Sequence, residues 1–360
     1  MIEKDRVLVA MSGGIDSSVV AMMLHEQGYD IVGITLKTWD YAIAGHDTHE
    51  TGCCSIDSIN DARTIAVTLG FPHYTLDARD DFSFIIDNFV EEYMHGRTPN
   101  PCVLCNTYIK WDLLIQKANQ LHCKYIATGH YAQILEEDGR FFVRKGVDEA
   151  KDQSYVLWGV SQENLSRTIL PLGKYKKLEI RQMAKDYGFE ELSKKGESYE
   201  ICFIPDNNYR KFLMHRVPDM PERVGEGYFV DTNGKKLGKH NGYPFYTIGQ
   251  RKGLNVAVGY PLFVVKIDAE KNEVVLGTRE ELLSTEMTLS KLNLQKWTNI
   301  PNGTEALVKV RYKDSGTKAK LYQNDDEIKV EFLNPVSAIT PGQSAVIYIE
   351  DDVLAGGIIL

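Results

Sequence analysis

The apolar run Val7–Met11, followed at once by Ser12–Ser18, constrains the fold of this chain more than any other segment. A valine-rich run is typical of a buried strand, and here it gives way to small and hydroxylated residues. A helical pattern from Val19 to about Gln27 follows, and Gly28 ends it. Unpaired N–H groups at a helix start, together with the helix dipole, favour an anion. The segment therefore predicts a strand–loop–helix unit with a phosphate site at its corner.

Strands and helices alternate over the first part of the chain, which predicts βαβ units and a doubly wound parallel sheet. The segments Ser12–Ser17, Thr38–Asp40 and Thr128–His130 each follow a strand, so we expect them to meet in one crevice at the strand C-termini. The predicted strands are Val7–Met11, Ile31–Leu36, His73–Leu76 and Tyr125–Thr128, and the predicted helices are roughly Ser18–Gln27, Ile56–Leu69, Phe82–Met94 and Tyr108–Leu121.

The texture changes after Asp206, where helical periodicity fades and short alternating strands appear between turn signals. A hairpin after Gln133 and a helix at Lys176–Tyr187 are predicted before that point. The expected division is a Rossmann-like α/β domain over 1–205, a small central domain over 206–275 and an antiparallel β-barrel over 276–360. The predicted C-terminal strands are Tyr228–Asp231, Leu262–Ile267, Glu273–Leu276, Ala306–Arg311, Lys318–Leu321, Lys329–Phe332 and Ala345–Ile349.

Composition excludes several classes of protein. No apolar run approaches the roughly 20 residues that span a bilayer, and the charged start of the chain is unlike a signal peptide, so a cytoplasmic protein is expected. The formal net charge of −9 disfavours nucleic acid, but the stretch Asn207–Lys252 carries a net charge of +5. This local surface suits a phosphate backbone, or it is a solvated face with no ligand.

The cysteines are too few and too irregularly spaced for a disulfide scaffold in a chain of this length. Cys105 is predicted to open a helix, where the dipole would favour its thiolate. Cys202 lies among apolar residues, and that string alone favours a buried structural thiol. Cys123 is expected to be structural. A zinc site is the weaker interpretation of Cys102 and Cys105, because no second ligand pair with suitable spacing follows.

No Gly-x-x-x-x-Gly-Lys-Ser/Thr loop is present, whereas Ser12–Ser18 resembles the phosphate loop of the ATP pyrophosphatase (PP-loop) superfamily. Further motifs extend the likeness along the whole chain, which is similar to the tRNA-specific 2-thiouridylases. These motifs, in order, are Thr98–Asn106, Thr128–Ala132, Lys151–Tyr155, Pro171–Gly173, Ile201–Ile204, Tyr246–Gly253, Val310–Tyr312 and Thr340–Gln343.

The resemblance implies that ATP adenylates the C2 oxygen of a wobble uridine in tRNA of the Lys, Glu and Gln type, and that sulfur then replaces this oxygen. Cys202 would carry sulfur as a persulfide and Cys105 would be the nucleophile. Asp16 would hold Mg²⁺. The implied ATP-binding residues are Ala10, Met11, Ser12, Gly13, Gly14, Ile15, Asp16, Ser17, Leu36 and Gly129. The implied contacts with the target base are Asn100, Pro101 and Cys102, and those with the rest of the tRNA are His130, Lys151, Asp152, Gln153, Arg311, Tyr312 and Gln343.

Three alternatives stay open. Cys102, Cys105 and Cys202 would be the ligands of an iron–sulfur cluster in a rival mechanism, an interpretation that Cys102 invites because many relatives carry aspartate there. The chain would otherwise be a PP-loop ligase for a small molecule, or an RNA-binding module without chemistry. A cysteine desulfurase or another sulfur-relay protein is the expected partner, and a monomer is the working expectation. The segment Tyr41–Thr51, with His46 and His49, is expected to be a loop over the ATP crevice, and Tyr199 replaces a glutamine common in relatives.

Overall fold

The computed structural model describes residues 5–39, 55–196, 201–204 and 206–360. The predicted loop at 41–51, the Cys53–Cys54 pair and Tyr199 lie outside these residues. The chain divides into two compact units: residues 1–84, 102–207 and 351–354 form the first, and residues 85–101, 208–350 and 355–360 form the second. Among the helices of the described residues, none is long and apolar enough to cross a membrane.

The described strands, in chain order, are β1 (Arg6–Ala10), β2 (Asp30–Lys37), β3 (His73–Asp77), β4 (Tyr125–Ala127), β5 (Ala132–Glu137), β6 (Arg140–Lys145), β7 (Thr168–Ile169), β8 (Gly227–Asp231), β9 (Lys236–His240), β10 (Phe263–Asp268), β11 (Glu273–Gly277), β12 (Leu283–Leu294), β13 (Thr304–Lys309), β14 (Thr317–Asn324), β15 (Glu327–Ser337), β16 (Ser344–Ile349) and β17 (Asp352–Ile359).

The described α-helices are α1 (Ile15–Glu26), α2 (Ile56–Leu69), α3 (Arg79–Met94), α4 (Pro101–Leu104), α5 (Leu113–Gln120), α6 (Gln162–Ser166), α7 (Lys177–Asp186), α8 (Glu190–Ser193), α9 (Tyr209–Arg216) and α10 (Met220–Arg223). A π-helix, Cys105–Asp112, connects α4 to α5. Short 3₁₀ helices lie at Ser154–Leu157, Pro171–Lys174, Tyr243–Phe245 and Glu280–Leu282.

The first unit contains a parallel sheet in the order β3-β2-β1-β4-β7. Val7, Leu8 and Val9 of β1 are fully buried, as expected for a central strand covered on both faces. The doubly wound sheet predicted from the alternation of strands and helices is confirmed. The predicted hairpin is present as β5 and β6, and Arg144 of β6 pairs with the buried carboxylate of Asp352.

Helix α1 is buried on nearly every side, because its apolar residues do not form a single stripe. Val19, Val20 and Met22 join one core cluster with Ile180 and Ala184 of α7. Burying each large aliphatic side chain stabilises the fold by about 1.5–3 kcal/mol. The helix that follows the phosphate loop and the helix α7 are therefore held by the same core.

The second unit contains a mixed sheet in the order β10-β11-β8-β9, in which β8 and β11 run parallel. Its core includes Phe229, Tyr246, Val264 and Val274. The loss of helical periodicity after Asp206 was not a reliable guide, because α9 forms at Tyr209–Arg216. Its cap is Asn208, whose side chain accepts a hydrogen bond from Lys211 N.

The C-terminal strands form a closed antiparallel barrel in the order β12-β15-β14-β13-β16-β17, and pairing of β12 with β17 closes it. Closure leaves no free edge among these strands. The sequence prediction of an antiparallel barrel is confirmed, although β12 and β17 are not among the strands named for it. β12 is missed because its register shifts at bulges, which break the two-residue alternation.

Candidate functional site

The phosphate loop is a tight corner between β1 and α1. Gly13 adopts a left-handed conformation, and a Cβ there would lie 2.0 Å from Ser58 O, so only glycine fits. Gly14 occupies the N-cap position, where it has no side chain to cap the helix. The N–H groups of Ile15, Asp16 and Ser17 lie in the first turn and have no intrahelical acceptor. The corner therefore has the backbone geometry of an anion site, and phosphate binding there stays a prediction.

Two serines close the loop on itself. Ser12 N donates to Ser17 Oγ at 3.0 Å, and the two hydroxyl oxygens lie 3.3 Å apart. Ser18 Oγ donates to Gly14 O at 2.9 Å. These bonds fix the direction of the loop N–H groups without occupying those of the first helical turn. A preformed site of this kind loses little entropy when an anion binds.

The carboxylate of Asp16 is held by two groups from distant parts of the chain. Lys177 Nζ lies 2.7 Å and 2.8 Å from its two oxygens, and Tyr131 Oη donates to Oδ1 at 2.7 Å. The Lys177 side chain is only 9% exposed. Lys195 Nζ donates to Gly13 O at 2.9 Å and also pairs with Asp61. Sequence reasoning identified neither lysine, because nothing local marks them.

The end of β4 packs directly on the phosphate loop. A Cβ on Gly129 would lie 2.9 Å from Ser17 N and 3.1 Å from Asp16 Cβ, so this glycine allows the close approach. Ala10 and Leu36, at the ends of β1 and β2, are half-buried, and Met11 N bonds Ile34 O at 2.7 Å. The sequence expectation that these segments converge holds for the loop and for Gly129. Whether these residues contact a nucleotide stays a prediction.

His130 is buried, although it was expected to contact RNA. Its Nδ1 lies 2.7 Å from Thr128 Oγ1, and its ring lies against Trp111 at 5.4 Å between centroids. Burial, and secondarily the charge of Lys110, hold the pKa of His130 well below its usual value. The imidazole is therefore neutral at physiological pH, and its position suits it to hold the loop after β4.

Asp152 and Gln153 also make structural bonds. Asp152 Oδ1 accepts from Gly146 N and Ser154 N at 3.2 Å and 3.1 Å, and Gln153 Oε1 accepts from Tyr131 N at 2.9 Å. Lys151 beside them is half-buried. The segment therefore orients Tyr131, which holds Asp16.

The cysteine-bearing helix begins one turn earlier than the sequence indicated. Pro101 opens α4, where its fixed φ suits a first helical position, so the prediction that Cys105 starts the helix is wrong. Cys105 is half-buried and opens the π-helix, a form that is frequent at functional sites.

The two thiols near the start of this helix differ. Cys102 is exposed, yet desolvation by the surrounding protein raises the pKa of its thiol, and the charge of Lys110 opposes this rise only in part. Two side chains that follow Cys105 anchor the π-helix. Asn106 Nδ2 donates to Val156 O at 3.1 Å, and the buried Trp111 donates to Thr168 Oγ1 at 2.8 Å.

Cys202 is exposed, which overturns the buried structural thiol that its apolar neighbours suggested. The next residue, Phe203, is buried instead and packs on Phe82 and Trp39 at centroid distances of 5.7 Å and 6.3 Å. The apolar string thus anchors the segment and leaves the sulfur outside. Cys123 is buried as expected, and burial raises the pKa of its thiol to about 11.

The cysteines that the structure describes are Cys102, Cys105, Cys123 and Cys202. Over the described ranges, which include all four, no three His, Cys, Asp or Glu side chains lie close enough together to hold a metal ion. The three-cysteine ligand set therefore does not fit this arrangement, and no step is assigned to a cluster. A single carboxylate such as that of Asp16 is sufficient for Mg²⁺, since this ion is commonly held by one or two carboxylates together with substrate phosphates.

In the second unit, Gln343 braces the segment before the cysteine helix. Its Nε2 donates to Thr98 O at 3.2 Å and Pro99 O at 2.9 Å, and Thr98 N donates to Pro341 O. Asn100 is half-buried and Pro101 is buried. The glutamine expected to touch RNA therefore supports the Asn-Pro segment expected at the target base.

Exposed cations mark the surface of the second unit. Arg311 and Tyr312 are exposed, and Arg311 lines a groove of about 340 Å³ together with Arg279. Lys239 pairs with Glu226 at 2.8 Å, and Arg216 lies 3.3 Å from Asp87. Other basic residues of the predicted stretch, Arg251 and Lys252, are exposed. Exposed pairs of this kind are worth little, so they leave the surface free to meet phosphates.

Comparison with known proteins agrees with this arrangement. The sequence matches the profiles of the tRNA methyl transferase HUP domain over residues 5–206, the tRNA methyl transferase PRC-barrel domain over 210–278 and the aminomethyltransferase β-barrel domain over 284–359. Two solved structures, a 4-thiouridine synthetase–RNA complex with bound ATP and an NMN synthetase from Francisella tularensis, are 19% and 17% identical. They cover 61% and 55% of this chain, and 52% and 67% of their own, at TM-scores of 0.38 and 0.34, too low to carry a conclusion.

Curated relatives are far more similar. The tRNA-specific 2-thiouridylase MnmA of Amoebophilus asiaticus is 58% identical over 99% of this chain and 95% of its own length. The proteins of the same name from Cytophaga hutchinsonii and Salinibacter ruber are 56% and 52% identical; each alignment covers 99% of this chain, with 98% and 94% of the relative. At this identity, over nearly the full length, the chain belongs to the family of tRNA-specific 2-thiouridylases.

Proposed function

We propose that this protein replaces the C2 oxygen of the wobble uridine in tRNAs of the Lys, Glu and Gln type with sulfur, at the expense of ATP. The proposal depends on one observation: a member of this family has an intact phosphate loop together with an exposed Cys202 and a half-buried Cys105. Neither a small-molecule ligase nor a bare RNA-binding module needs those two thiols. A tRNA substrate is also consistent with the cytoplasmic location expected from the sequence.

The first step is adenylation. The C2 oxygen of uridine attacks the α-phosphorus of ATP, a bond to the α-phosphate forms, and pyrophosphate leaves. Loop N–H groups after Gly14 are aimed to bind the departing charge. Mg²⁺ held at Asp16 would screen phosphate charge when bound. The nucleotide set proposed is Ala10, Met11, Ser12, Gly13, Gly14, Ile15, Asp16, Ser17, Leu36 and Gly129.

The second step is sulfur transfer. The terminal sulfur of a persulfide on Cys202 attacks C2, and AMP leaves with the former C2 oxygen. The Cys105 thiolate then attacks the Cys202 sulfur, so the S–S bond breaks, the sulfur stays on C2, and a Cys105–Cys202 disulfide forms. In a variant of this step, Cys105 attacks first and the sulfide released attacks C2. A dithiol reductant resets the disulfide, and a cysteine desulfurase or sulfur carrier reloads Cys202.

RNA recognition is proposed to involve both units. Asn100, Pro101 and Cys102 face the unpaired target base, which has to leave the anticodon stack to react. The exposure of Arg311 and Tyr312 supports direct contact with RNA. Four other predicted tRNA contacts make hydrogen bonds within the protein, which favours a role in holding the RNA-binding loops in place: His130, Asp152, Gln153 and Gln343. Lys151, which is half-buried, stays a predicted tRNA contact. We also propose that the chain is divided into three domains, at 1–205, 206–275 and 276–360.

One assay tests the proposal against its rivals. The protein is incubated with ATP, Mg²⁺, a persulfide source and unmodified tRNA, and thiolated tRNA is detected by its retardation on a mercury gel. We expect thiolated RNA together with AMP. AMP release without thiolated RNA would favour a small-molecule ligase. RNA binding without AMP release would indicate a module that lacks chemistry. Anaerobic reconstitution with iron, followed by the same assay on iron-free protein, tests the cluster mechanism, which requires iron-free protein to be inactive.

A further inference from the structure

Lys177 is the most constrained cation near the phosphate loop. It is the first residue of α7, its backbone N–H donates to Asp148 Oδ2 at 2.8 Å, and its side chain is 9% exposed. Its Nζ contacts both oxygens of Asp16, and the ring centroid of Tyr131 lies 5.6 Å away. A lysine is rarely buried unless it is paired. The pair with Asp16 thus accounts for its burial but not for its place beside an anion site.

The packing of α7 fixes this ammonium relative to the loop. Ile180 and Ala184 of α7 lie in the same buried cluster as the apolar residues of α1, so the two helices form one packed body. Asp16 belongs to the first turn of α1, where the free N–H groups point. Lys177 Nζ is therefore bonded to a carboxylate that itself belongs to the first turn of α1, beside the phosphate loop.

The positive charge of the phosphate loop by itself is too small to balance a bound polyphosphate. Backbone N–H groups and the helix dipole supply only about half an elementary charge. A polyphosphate carries several negative charges, and Asp16 adds another one beside them. An ammonium has three donors, so one lysine is able to bond a carboxylate oxygen and a phosphate oxygen at the same time.

We propose that Lys177 is a ligand of the ATP phosphates that leave as pyrophosphate. Without nucleotide it neutralises Asp16; with ATP bound, its ammonium is shared between Asp16 and a non-bridging phosphate oxygen. The inference rests on the proposed function, in which this loop binds ATP. During adenylation the same contact stabilises the charge that gathers on pyrophosphate.

The competing explanation is that Lys177 serves only as the counter-ion of Asp16. A double-mutant cycle of Lys177→Met and Asp16→Asn separates the two. The probe is inorganic pyrophosphate, titrated by calorimetry in the presence of a chelator so that no divalent cation takes part, with AMP as a second probe. Binding is the readout, so the result does not depend on catalytic activity.

Opposite effects are expected from the two single variants. Lys177→Met weakens pyrophosphate binding by about ten- to a hundredfold, the range for a lost hydrogen bond to a charged group, and leaves AMP binding unchanged. Asp16→Asn tightens it, because repulsion is removed and the ammonium is released. The double variant does not show this increase in pyrophosphate affinity. Equal pyrophosphate binding by Asp16→Asn and the double variant would overturn the proposal, because Lys177 would then contribute nothing beyond neutralising Asp16.

Lys174→Met is the charge-matched control, since Lys174 is exposed three residues earlier on the same segment. It should leave pyrophosphate binding unchanged. If Lys177→Met fails to fold, the comparison of Asp16→Asn with the double variant still decides, because the double variant holds no unpaired buried charge. If the wild-type protein binds no ATP, the proposed function is contradicted. If the wild-type protein thiolates tRNA but Lys177→Met does not change pyrophosphate binding in either background of the double-mutant cycle, this inference alone is contradicted.

Discussion

The phosphate loop of the first unit and the basic surface of the second use positive charge in different ways. Lys177 at the loop is buried and bonded to both oxygens of Asp16, whereas Arg251, Lys252 and Arg311 on the second unit are exposed. A buried, oriented cation suits a small ligand with fixed geometry. Exposed cations suit a polyelectrolyte, whose binding is long-ranged and sensitive to salt. We therefore propose that the first unit carries the chemistry and that the second contributes most of the affinity for RNA.

The largest expected effect tests the assignment of chemistry to the first unit. Cys105→Ala and Cys202→Ala should abolish thiolation, because sulfur has no carrier or no acceptor thiol, and should leave the Kd for tRNA unchanged. Thiolation is measured on mercury gels and binding by filter retention. Cys102→Asp is the matched control, and it should retain activity. Loss of thiolation in a folded Cys102→Asp variant would refute the choice of Cys105 over Cys102.

The next effect tests the assignment of affinity to the second unit. Replacing Arg251 and Lys252 by alanine should weaken tRNA binding and flatten its salt dependence, by about 0.7–0.9 in the log–log slope for each phosphate that is no longer neutralised. The single-turnover rate at saturating tRNA should not change. Lys239→Ala, which removes a cation already paired with Glu226, is the control with a smaller effect. An unchanged slope in the double variant would remove both residues from the RNA surface.

Gln343 distinguishes support from contact. Gln343→Ala removes two hydrogen bonds to the 98–99 backbone, which should lower the free energy of unfolding by about 1–3 kcal/mol. Chemical denaturation measures this decrease. If the glutamine only contacted RNA, unfolding would be unaffected and tRNA affinity alone would fall.

The smallest effect is a pH dependence of stability that originates at His130. Burial lowers its pKa in the folded state, so the unfolded chain binds a proton first as pH falls through about 6.5. The free energy of unfolding therefore has its full value with respect to His130 above that pH. Below it, the free energy of unfolding decreases by about 1.4 kcal/mol per pH unit until the folded-state pKa of His130 is reached. His130→Gln should flatten this decline in urea titrations between pH 7 and pH 5. An identical slope in the variant would show that His130 does not cause it.

What sequence reasoning could predict depended on how local the signal was. The strand–loop–helix at Ser12–Ser18 and the β4 end at Gly129 are encoded in adjacent residues, and both were found. Lys177 and Lys195 were missed because their contacts with Asp16 and Gly13 span 161 and 182 residues. Only the packing of α7 on α1 brings the first of them to the loop.

The cysteines show how a local pattern misleads. The prolines before Cys102 predict an extended approach to the helix, but Pro101 itself takes the first helical position, and this moves the start of the helix away from Cys105. Around Cys202 the apolar neighbours favour a buried structural thiol. Phe203 and Ile204 are the buried residues, and they leave the sulfur at the surface.

In the proposed reaction the loop activates the C2 oxygen and sulfur then displaces it. The most direct measurement uses tRNA whose target uridine carries ¹⁸O at C2, with mass spectrometry of the AMP formed in one turnover. We expect AMP to gain one ¹⁸O atom for each thiolated uridine, because the former C2 oxygen leaves on the α-phosphate. AMP without the label, formed alongside thiolated tRNA, would contradict it.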